Sequence, residues 1–451
     1  MIARGAPRPA DRGRRARARR AWLAVALGAL ACQPGGPSTD AARPNIILVV
    51  IDTLRADHLQ SYGYVRETAP RFAGLAKQGV LFERVIAASS WTKPSMVSLM
   101  TSLAPDRHGV RRGTDVMPES LPTLAEALRH GGYRTIGINA NPWLIERFGL
   151  ARGFDAYESP IWADARALNG RALDLASQGS RPVFLYLHYM DVHAPYRPDA
   201  RFFAEPPLPL PGGERISDAD LERMYRKEGL DAPGVALRVR RLYEAEIRST
   251  DAALGELLDG LEERGLLANS VVAVTSDHGE GFREHGTTEH GWNFYPEVYA
   301  IPLVIRAPGR MPAGERISAQ VRSIDLAPSL LELASLEVPP GFEGESLLAA
   351  DGAPLRDRVA LGAIGLYGFL PDRDYAAVVS PGALYIRERR SGEVEFYDLR
   401  SDPGAQRDLG PGHPDAARLA RLVPDGQGPA PRQVPIDPET HQRLVELGYV
   451  D

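Results

Sequence analysis

Residues 45–51 form one continuous, mainly apolar run that ends at Asp52. A run without alternating polar positions is typical of a strand that is buried on both faces of a parallel sheet. The same pattern recurs at residues 135–138, 183–187, 270–275 and 303–305. Helical patterns lie between these runs, among them residues 122–130 and about 235–264. This alternation predicts an α/β fold with a large, mainly parallel sheet and helices on both faces.

The pattern changes after about residue 336, where short strand-like segments are separated by Gly, Pro and Asp turns. These segments span residues 375–379, 383–387 and 393–397. They predict a smaller antiparallel sheet in the C-terminal part of the chain. A length of 451 residues suits one large domain and one small one. We therefore assign residues 44–335 to a main domain and residues 336–451 to a small α+β subdomain with a tail.

The first 43 residues have the features of an export signal followed by a linker. An Arg-rich stretch at residues 12–20 precedes an apolar run at 21–31, which is too short to span a bilayer. The sequence A-L-A-C at 29–32 resembles a bacterial lipoprotein cleavage site. We predict a lipoprotein-type signal peptide over residues 1–31 and a flexible tether over residues 32–43. The alternative is an ordinary signal peptide in which the cysteine is incidental.

The chain that follows the predicted signal peptide is acidic. Residues 1–31 contain eight arginines and one aspartate, which leaves 45 basic and 57 acidic residues and a formal net charge of −12. No basic patch with interleaved aromatic residues follows residue 45, so we do not expect nucleic acid as a partner. Cys32 is the only cysteine and cannot form an intrachain disulfide. We expect an exported periplasmic or cell-surface lipoprotein, held on the membrane by a lipid on Cys32.

Polar residues lie at the ends of three predicted strands. Asp52, His188 and Asp277 occupy these positions, and His278 comes next in the chain. Because the carboxyl ends of parallel strands meet at one edge of a sheet, we expect these side chains to lie close together. The carboxylates of Asp52 and Asp277 and the imidazole of His278 are suitable ligands for a divalent metal ion. A lone Asp after a strand is more often a helix cap, so the prediction depends on the combination.

Thr92 begins the sequence T-K-P-S, which opens a predicted helix that runs to about residue 103. Pro94 is suited to the first turn of a helix. A hydroxyl at the positive end of a helix dipole is placed where an oxyanion can be stabilised. The alternative is that Thr92 is only the N-cap of this helix. The local sequence leaves both interpretations open.

Several segments, in this order, resemble the signatures of sulfatases. They are P-N-I-I-L-V-V-I-D at 44–52, T-K-P-S-M at 92–96, H-Y-M-D-V-H-A-P-Y at 188–196, S-D-H-G-E at 276–280, E-V-Y-A-I-P-L-V-I-R-A-P-G at 297–309 and S-I-D-L-A-P-S at 323–329. The resemblance covers residues 44–348. It is to the sulfatase-like branch of the alkaline phosphatase superfamily, and it implies the corresponding fold.

The resemblance also implies roles for individual residues. Asp52, Thr92, Asp277 and His278 would hold one divalent metal ion, which could be Ca, Mn, Mg or Zn. Thr92 would occupy the position of the nucleophile. His188 and His193 would face the anionic group or the leaving oxygen of the substrate. Further candidate substrate contacts are Lys93, Asn139, Asn141, His285 and His290.

The chain departs from the sulfatase pattern in two places. Sulfatases generally have a Cys or Ser that is converted to formylglycine, followed by an Arg, whereas this chain has Thr92 and Met96. Asn139 and Asn141 stand where the family usually supplies Lys and His. A Thr nucleophile resembles that of nucleotide pyrophosphatases and phosphodiesterases and of lipoteichoic acid synthases.

The resemblance and these departures together predict a metal-dependent hydrolase, or a transferase, of sulfate or phosphate esters. Displacement onto Thr92 would favour phosphate esters, and diesters in particular, over sulfate esters. The substrate would be a small molecule or an ester of a glycan or lipid. The alternative is a binding lipoprotein that keeps the sulfatase-like fold and has lost turnover.

Overall fold

The computed structural model describes residues 43–202, 233–348, 353–364, 374–424, 428–436, 438 and 441–442. The predicted signal peptide, Cys32 and the tether up to residue 42 lie outside this range. In the described part of the chain, every helix is too short or too polar to cross a membrane.

Eight strands of the described chain form the main sheet, four form a second sheet and two form a short hairpin. The strands are β1 (Asn45–Ile51), β2 (Val80–Ile86), β3 (Arg134–Asn139), β4 (Ala156–Glu158), β5 (Val183–Tyr189), β6 (Ser270–Thr275), β7 (Gly281–Phe282), β8 (Thr288–Glu289), β9 (Ala300–Arg306), β10 (Glu315–Arg322), β11 (Ala360–Ile364), β12 (Tyr375–Ser380), β13 (Ala383–Glu388) and β14 (Val394–Tyr397). The order in the main sheet is β10-β2-β9-β6-β1-β5-β3-β4.

The main sheet is parallel except for β9, which runs antiparallel to both β2 and β6. The reason lies in the connection between β6 and β9. Residues 276–299 stay at the carboxyl edge of the sheet after β6 ends, so β9 starts at that edge and runs back through the sheet. The predicted large, mainly parallel sheet is confirmed, with this one reversed strand.

Helices cover both faces of the main sheet, as predicted. The described helices are α1 (Pro70–Gln78), α2 (Thr92–Thr101), α3 (Pro105–His108), α4 (Leu124–His130), α5 (Ala165–Ala176), α6 (Pro233–Glu263), α7 (Pro296–Tyr299), α8 (Leu326–Leu333) and α9 (Pro414–Ala420). Alternate residues of β1 enter two different cores. Leu48 packs in the core that contains residues of α2, α4 and α8, and Val49 packs in the core that contains residues of α1, α5 and α6. Burial on both faces explains why the strand is apolar at almost every position.

The smaller sheet is antiparallel, in the order β11-β12-β13-β14, and confirms the predicted C-terminal sheet. Its first strand is joined to the segment that leads into α2. The Ala363 N–H donates to the Ala88 carbonyl over 3.2 Å, and the Ser89 hydroxyl donates to the Ala363 carbonyl over 2.8 Å. The smaller sheet therefore supports the segment that carries Thr92.

Candidate active site

The carboxyl edge of the main sheet carries a cluster of fully buried polar side chains. Asp52 follows β1, His188 is the penultimate residue of β5, and Asp277 and His278 follow β6 closely. All four side chains are inaccessible to solvent. Because β1 lies between β5 and β6, the order of strands brings the four side chains together. The prediction that they share one edge is confirmed.

Distances within the cluster are short enough for one small ion to contact several members. His188 Nε2 lies 3.0 Å from Asp52 Oδ2 and 3.9 Å from Asp277 Oδ2. His278 Nε2 lies 3.7 Å from Asp52 Oδ1 and 3.4 Å from Asp277 Oδ2. Two ligands of one ion, each bound at about 2.0 to 2.6 Å, can be no more than about 5 Å apart. These pairs meet that limit.

Thr92 is the first residue of α2, and its N-cap is Trp91. The hydroxyl of Thr92 is therefore not used as a cap. It donates to Asp52 Oδ2 over 3.5 Å and lies 3.3 Å from His278 Nε2. The Ser95 hydroxyl donates to the Asp277 carbonyl over 2.6 Å, which ties the first turn of the helix to the residue after β6. The N-cap alternative for Thr92 is thus wrong, and the hydroxyl faces the buried cluster.

The two carboxylates of the cluster have opposite electrostatic tendencies. Burial acts to raise the pKa of Asp52, but its hydrogen bond with His188 and its electrostatic interactions with His193, His188 and His278 lower it overall. Burial and the charge of Asp52 raise the pKa of Asp277. Two buried carboxylates this close to the same imidazoles are difficult to ionise together unless a cation lies between them. The cluster therefore has the electrostatic character of a cation site.

Unused lone pairs indicate where such a cation would bind. Asp52 Oδ1 and Asp277 Oδ2 are buried oxygens without a hydrogen-bond partner. Asp277 Oδ1, in contrast, accepts from the backbone N–H groups of Thr53 and His278. Ligand atoms of Asp52, His188 and Asp277 all lie within 4.8 Å of one another. This donor set fits a divalent metal ion, and the cluster can hold one.

His278 is oriented as a metal ligand would be. Its Nδ1 lies 2.9 Å from the Gly279 carbonyl, which can only accept, so Nδ1 carries the proton and Nε2 presents a lone pair to the cluster. Burial lowers the pKa of His278, with a further contribution from His290. The ring is therefore held in the neutral form that metal binding requires.

Asn141 reaches the same cluster from the loop after β3. Its Nδ2 donates to Asp52 Oδ2 over 2.7 Å and to Thr92 Oγ1 over 3.3 Å. Its Oδ1 accepts from the Trp143 N–H over 2.8 Å, which fixes the orientation of the amide. Asn141 thus presents a neutral hydrogen-bond donor beside the Thr92 hydroxyl.

Two further histidines form a second layer beside the cluster. The ring of His290 lies 4.4 Å from that of His278 and 4.9 Å from that of His193, centroid to centroid. His290 Nδ1 lies 3.1 Å from Glu280 Oε1, and the Tyr196 hydroxyl donates to Glu280 Oε2 over 3.2 Å. Burial lowers the pKa of His290 to about 4 and raises that of Glu280 to about 7. The structure therefore places His193 and His290 next to the candidate metal ligands.

Three predicted substrate contacts have other partners. The Lys93 ammonium donates to the carbonyls of Gly113 and Asp115 and lies over the ring of Phe148. Burial lowers the pKa of Lys93 well below its usual value. Asn139 donates to Ser159 Oγ over 2.9 Å. His285 uses Nδ1 for Glu297 and Nε2 for the Ala405 carbonyl. The structure does not bring these three side chains into the cluster.

Sequence reasoning missed two residues that support the cluster. The Tyr186 hydroxyl lies 3.0 Å from His188 Nδ1, and Glu280 holds His290. Tyr186 had a detectable signal, because residues two apart in a strand point to the same face. Glu280 had none beyond its place in the S-D-H-G-E segment, because its contact depends on how the following loop folds back.

Residues 44–336 match the protein family described as Sulfatase. The N-acetylglucosamine-6-O-sulfatase of Bacteroides thetaiotaomicron is 23% identical, over 84% of this chain and 85% of that protein. The ulvan-active sulfatase of Formosa agariphila is 25% identical, over 90% of this chain and 82% of that protein.

Solved structures with the same fold include a protein bound to its substrate D-glucosamine-2-N,6-O-disulfate. It superposes with a TM-score of 0.69 at 20% identity and covers 84% of this chain and 96% of its own. The phosphonate monoester hydrolase of Silicibacter pomeroyi superposes with a TM-score of 0.68 at 20% identity. The match covers 84% of this chain and 94% of that hydrolase. These likenesses support the assigned fold.

Proposed function

Since this chain belongs to the sulfatase family, we propose that it is a metal-dependent ester hydrolase with Thr92 as its nucleophile. We propose further that it prefers phosphate esters, and diesters in particular, over sulfate esters. The observation that carries this proposal is the position of the Thr92 hydroxyl, 3.5 Å from Asp52 Oδ2 and 3.3 Å from His278 Nε2. A hydroxyl is a weak nucleophile unless a base or a metal ion activates it.

The proposed metal ligands are Asp52, Asp277 and His278. A divalent cation held there would lower the pKa of the Thr92 hydroxyl and neutralise the charge that develops on the ester. Asp52 Oδ2 lies in the direction in which the hydroxyl proton can leave. The amide of Asn141 is placed to donate to the attacking oxygen or to an oxygen of the ester.

The proposed reaction has two displacements at phosphorus. In the first, a bond forms between Thr92 Oγ1 and phosphorus while the bond to the leaving oxygen breaks. Thr92 loses one proton and the leaving oxygen gains one. In the second, water attacks the same phosphorus, and Thr92 recovers its proton as it departs. Both steps are in-line displacements of the kind that metal-assisted phosphoryl transfer uses.

We assign protonation of the leaving oxygen to His193. Its ring packs against that of His290, which in turn packs against the ring of His278. His290 therefore lies between His193 and the candidate metal ligand His278. Burial lowers the pKa of His193 overall, and the charge of Asp52 only partly opposes this shift. An anionic substrate beside the ring would raise the pKa and so favour the protonated form that this role requires. His290 is the second candidate for this role.

The preference for phosphorus follows from the chemistry of the Thr adduct. A formylglycine hydrate has a second hydroxyl, so a sulfated adduct can collapse to the aldehyde and expel sulfate. Thr92 has no second hydroxyl. Its adduct must be released by attack of water at the central atom, which metal-assisted phosphoryl transfer favours and which we expect to be slow at sulfur.

The charge of the cluster supports a monoanionic substrate. In the described chain, the hydrogen-bond and ion-pair partners of Asp52, Asp277 and Thr92 include neither lysine nor arginine. The one lysine near Thr92 in sequence, Lys93, is held by two carbonyls elsewhere. Without a fixed cationic side chain, a dianionic phosphomonoester would be poorly neutralised in the transition state.

Steady-state kinetics on an aryl phosphodiester, an aryl phosphomonoester and an aryl sulfate test the proposal. We expect the diester to be hydrolysed fastest and its turnover to fall at least ~10³-fold in Thr92→Ala, with each divalent metal as a separate condition. Faster turnover of the sulfate that also depends on Thr92 would contradict the preference. Absence of Thr92-dependent turnover on a broad ester panel would favour the alternative, a binding lipoprotein.

The natural substrate and the location are further parts of the proposal. Two relatives are named for an N-acetylglucosamine-6-O-sulfatase activity and for activity on ulvan. We therefore propose an ester carried by a saccharide as the first substrate class to test.

We also propose export and a lipid on Cys32, because an Arg-rich region and an apolar run lead to the only cysteine. A Cys32→Ser protein should leave the membrane fraction, and one that stays there would exclude the anchor.

A further inference from the structure

We propose that His188 is a metal ligand together with Asp52, Asp277 and His278, and that the resulting pair of nitrogens makes the site select a first-row transition ion over Ca²⁺ and Mg²⁺. This inference rests on the metal site of the proposed function. It assigns a ligand that the sulfatase resemblance did not imply, since that resemblance placed His188 on the substrate. It also narrows the choice of metal, which the resemblance left open among Ca, Mn, Mg and Zn.

His188 lies within ligand distance of both carboxylates. Its Nε2 lies 3.0 Å from Asp52 Oδ2 and 3.9 Å from Asp277 Oδ2, so it is at least as close to both carboxylates as a shared ligand would be. The side chain is fully buried. The two carboxylates also retain one unpartnered oxygen each, Asp52 Oδ1 and Asp277 Oδ2. An ion bound to those oxygens would have the imidazole of His188 within its reach.

Tyr186 holds the imidazole of His188 in place. The Tyr186 hydroxyl lies 3.0 Å from His188 Nδ1, on the side of the ring away from the carboxylates. A phenol can donate or accept, so it can accept from an Nδ1–H while Nε2 presents its lone pair to an ion. Outer partners of this kind fix the orientation of a ligating histidine and support its basicity. Tyr186 is therefore the positioning residue of His188.

In the described part of the chain, few side-chain oxygens are available to an ion at this cluster. Ca²⁺ takes six to eight oxygen ligands, and Mg²⁺ takes an octahedron of oxygens. The amide oxygen of Asn141 is turned to the Trp143 N–H, so this side chain presents only its NH₂ group to the cluster. The Thr53 hydroxyl, directly after Asp52, bonds to the carbonyls of Asp52 and Val192. Two side chains that could have supplied oxygens are thus committed elsewhere.

The remaining donors suit a softer ion. They are carboxylate oxygens of Asp52 and Asp277, imidazole nitrogens of His188 and His278, and the Thr92 hydroxyl. Imidazole suits Zn²⁺, Fe²⁺ and Ni²⁺, whereas carboxylate, carbonyl and water oxygens suit Mg²⁺, Ca²⁺ and Mn²⁺. A set with two nitrogens therefore favours Zn²⁺ over the alkaline-earth ions and over Mn²⁺.

Metal binding to the full mature chain, measured without substrate, tests this inference. Chelator-treated protein is incubated separately with Mn²⁺, Zn²⁺, Ca²⁺ or Mg²⁺, desalted, and analysed for bound metal and for thermal stability. We expect one Zn²⁺ per chain and a rise in Tm, weaker binding of Mn²⁺, and at least ~100-fold weaker binding of Ca²⁺ and Mg²⁺. Tighter binding of Ca²⁺ or Mg²⁺ would overturn the inference.

Substitutions of His188 and Tyr186 distinguish the proposed metal ligand from the residue that positions it. His188→Gln should lower transition-ion affinity by ~100-fold or more, and Tyr186→Phe by about 10-fold, in line with the loss of an outer hydrogen bond. The visible absorption spectrum of bound Co²⁺ should lose a nitrogen-ligand contribution in His188→Gln and keep it in Tyr186→Phe. His130→Gln removes an exposed histidine at the end of α4 and should leave both readouts unchanged.

Circular dichroism of the metal-free variants controls for folding, and His188→Asn is the second substitution if His188→Gln does not fold. Unchanged affinity and Co²⁺ spectrum in a folded His188 variant would exclude His188 as a ligand. If Ca²⁺ binds and Thr92-dependent turnover is retained, the inference fails and the proposed function stands. If no ion binds and no turnover occurs, both fail.

Discussion

The side-chain amide of Asn141 donates a hydrogen bond of 2.7 Å to Asp52 Oδ2. The same nitrogen lies 3.3 Å from the Thr92 hydroxyl, and the amide cannot turn over without losing its bond from the Trp143 N–H. At a position where sulfatases usually supply a cation, this chain therefore presents an oriented, neutral donor to a carboxylate and to the candidate nucleophile.

We expect Asn141→Ala to lower kcat on an aryl phosphodiester by about 10²-fold, because it removes an oriented donor from the reacting centre. Asn141→Asp should lower kcat further, since a second negative charge would lie beside Asp52. The matched control is Asn139→Ala, because the Asn139 amide bonds to Ser159 instead. Equal losses in the two alanine variants, at unchanged Tm, would contradict a specific role for Asn141.

Thr53 has a strained backbone next to a candidate metal ligand. Its φ is +58°, in the left-handed region that β-branched residues rarely adopt. Such a conformation costs about 1 to 3 kcal/mol. It is stabilised by hydrogen bonds from the Thr53 hydroxyl to the carbonyls of Asp52 and Val192. We expect Thr53→Val to lower stability by about 1 to 3 kcal/mol and Thr53→Ser by much less. Denaturant unfolding of the two variants measures the difference, and equal stabilities would show that the hydroxyl does not hold the turn.

The raised pKa of Glu246 predicts that the stability of the folded protein depends on pH. The side chain is buried on α6, accepts from the Arg197 N–H, and burial raises its pKa to about 8. The folded protein therefore retains a proton that the unfolded chain releases above pH ~4.5. Stability should fall as the pH rises from ~4.5 to ~8 and change little from this group beyond that.

Glu246→Gln removes this titration while keeping an acceptor for the Arg197 N–H. We expect the variant to match the wild type near pH 5 and to exceed its Tm by ~2 to 5 °C at pH 9. Asp191 also has a pKa raised by burial, to about 6, and contributes a separate loss at lower pH that both proteins share. A Tm difference that is the same at pH 5 and pH 9 would contradict the assignment.

Much of the site could be predicted because strand ends are visible in the sequence. An apolar run that ends at a carboxylate indicated both the buried strand β1 and the position of Asp52 at the sheet edge. The same argument located Asp277 and His278. In contrast, β2 was not predicted, because Glu83 and Arg84 interrupt its apolar pattern.

Side-chain direction was harder to predict than position. Lys93 follows Thr92 in a helix, where successive residues point about 100° apart, so one faces the cluster and the other enters a cage of carbonyl groups and aromatic rings. His285 lies in the turn between β7 and β8, and His290 directly follows β8. Of the two, only His290 contacts the ring of His278. Loop histidines have no periodicity from which such a difference can be derived.

A covalent adduct on Thr92 is the most direct measurement of the central claim. The enzyme, loaded with the metal that supports the fastest turnover, is mixed with excess bis(4-nitrophenyl) phosphate, quenched in acid at early times, and analysed by intact-mass and peptide mass spectrometry. We predict that a 4-nitrophenyl phosphoryl group replaces the hydroxyl hydrogen of Thr92. We also predict a burst of up to one 4-nitrophenolate per chain, and loss of both adduct and turnover in Thr92→Ala. Turnover of the diester at the wild-type rate by Thr92→Ala would contradict the account.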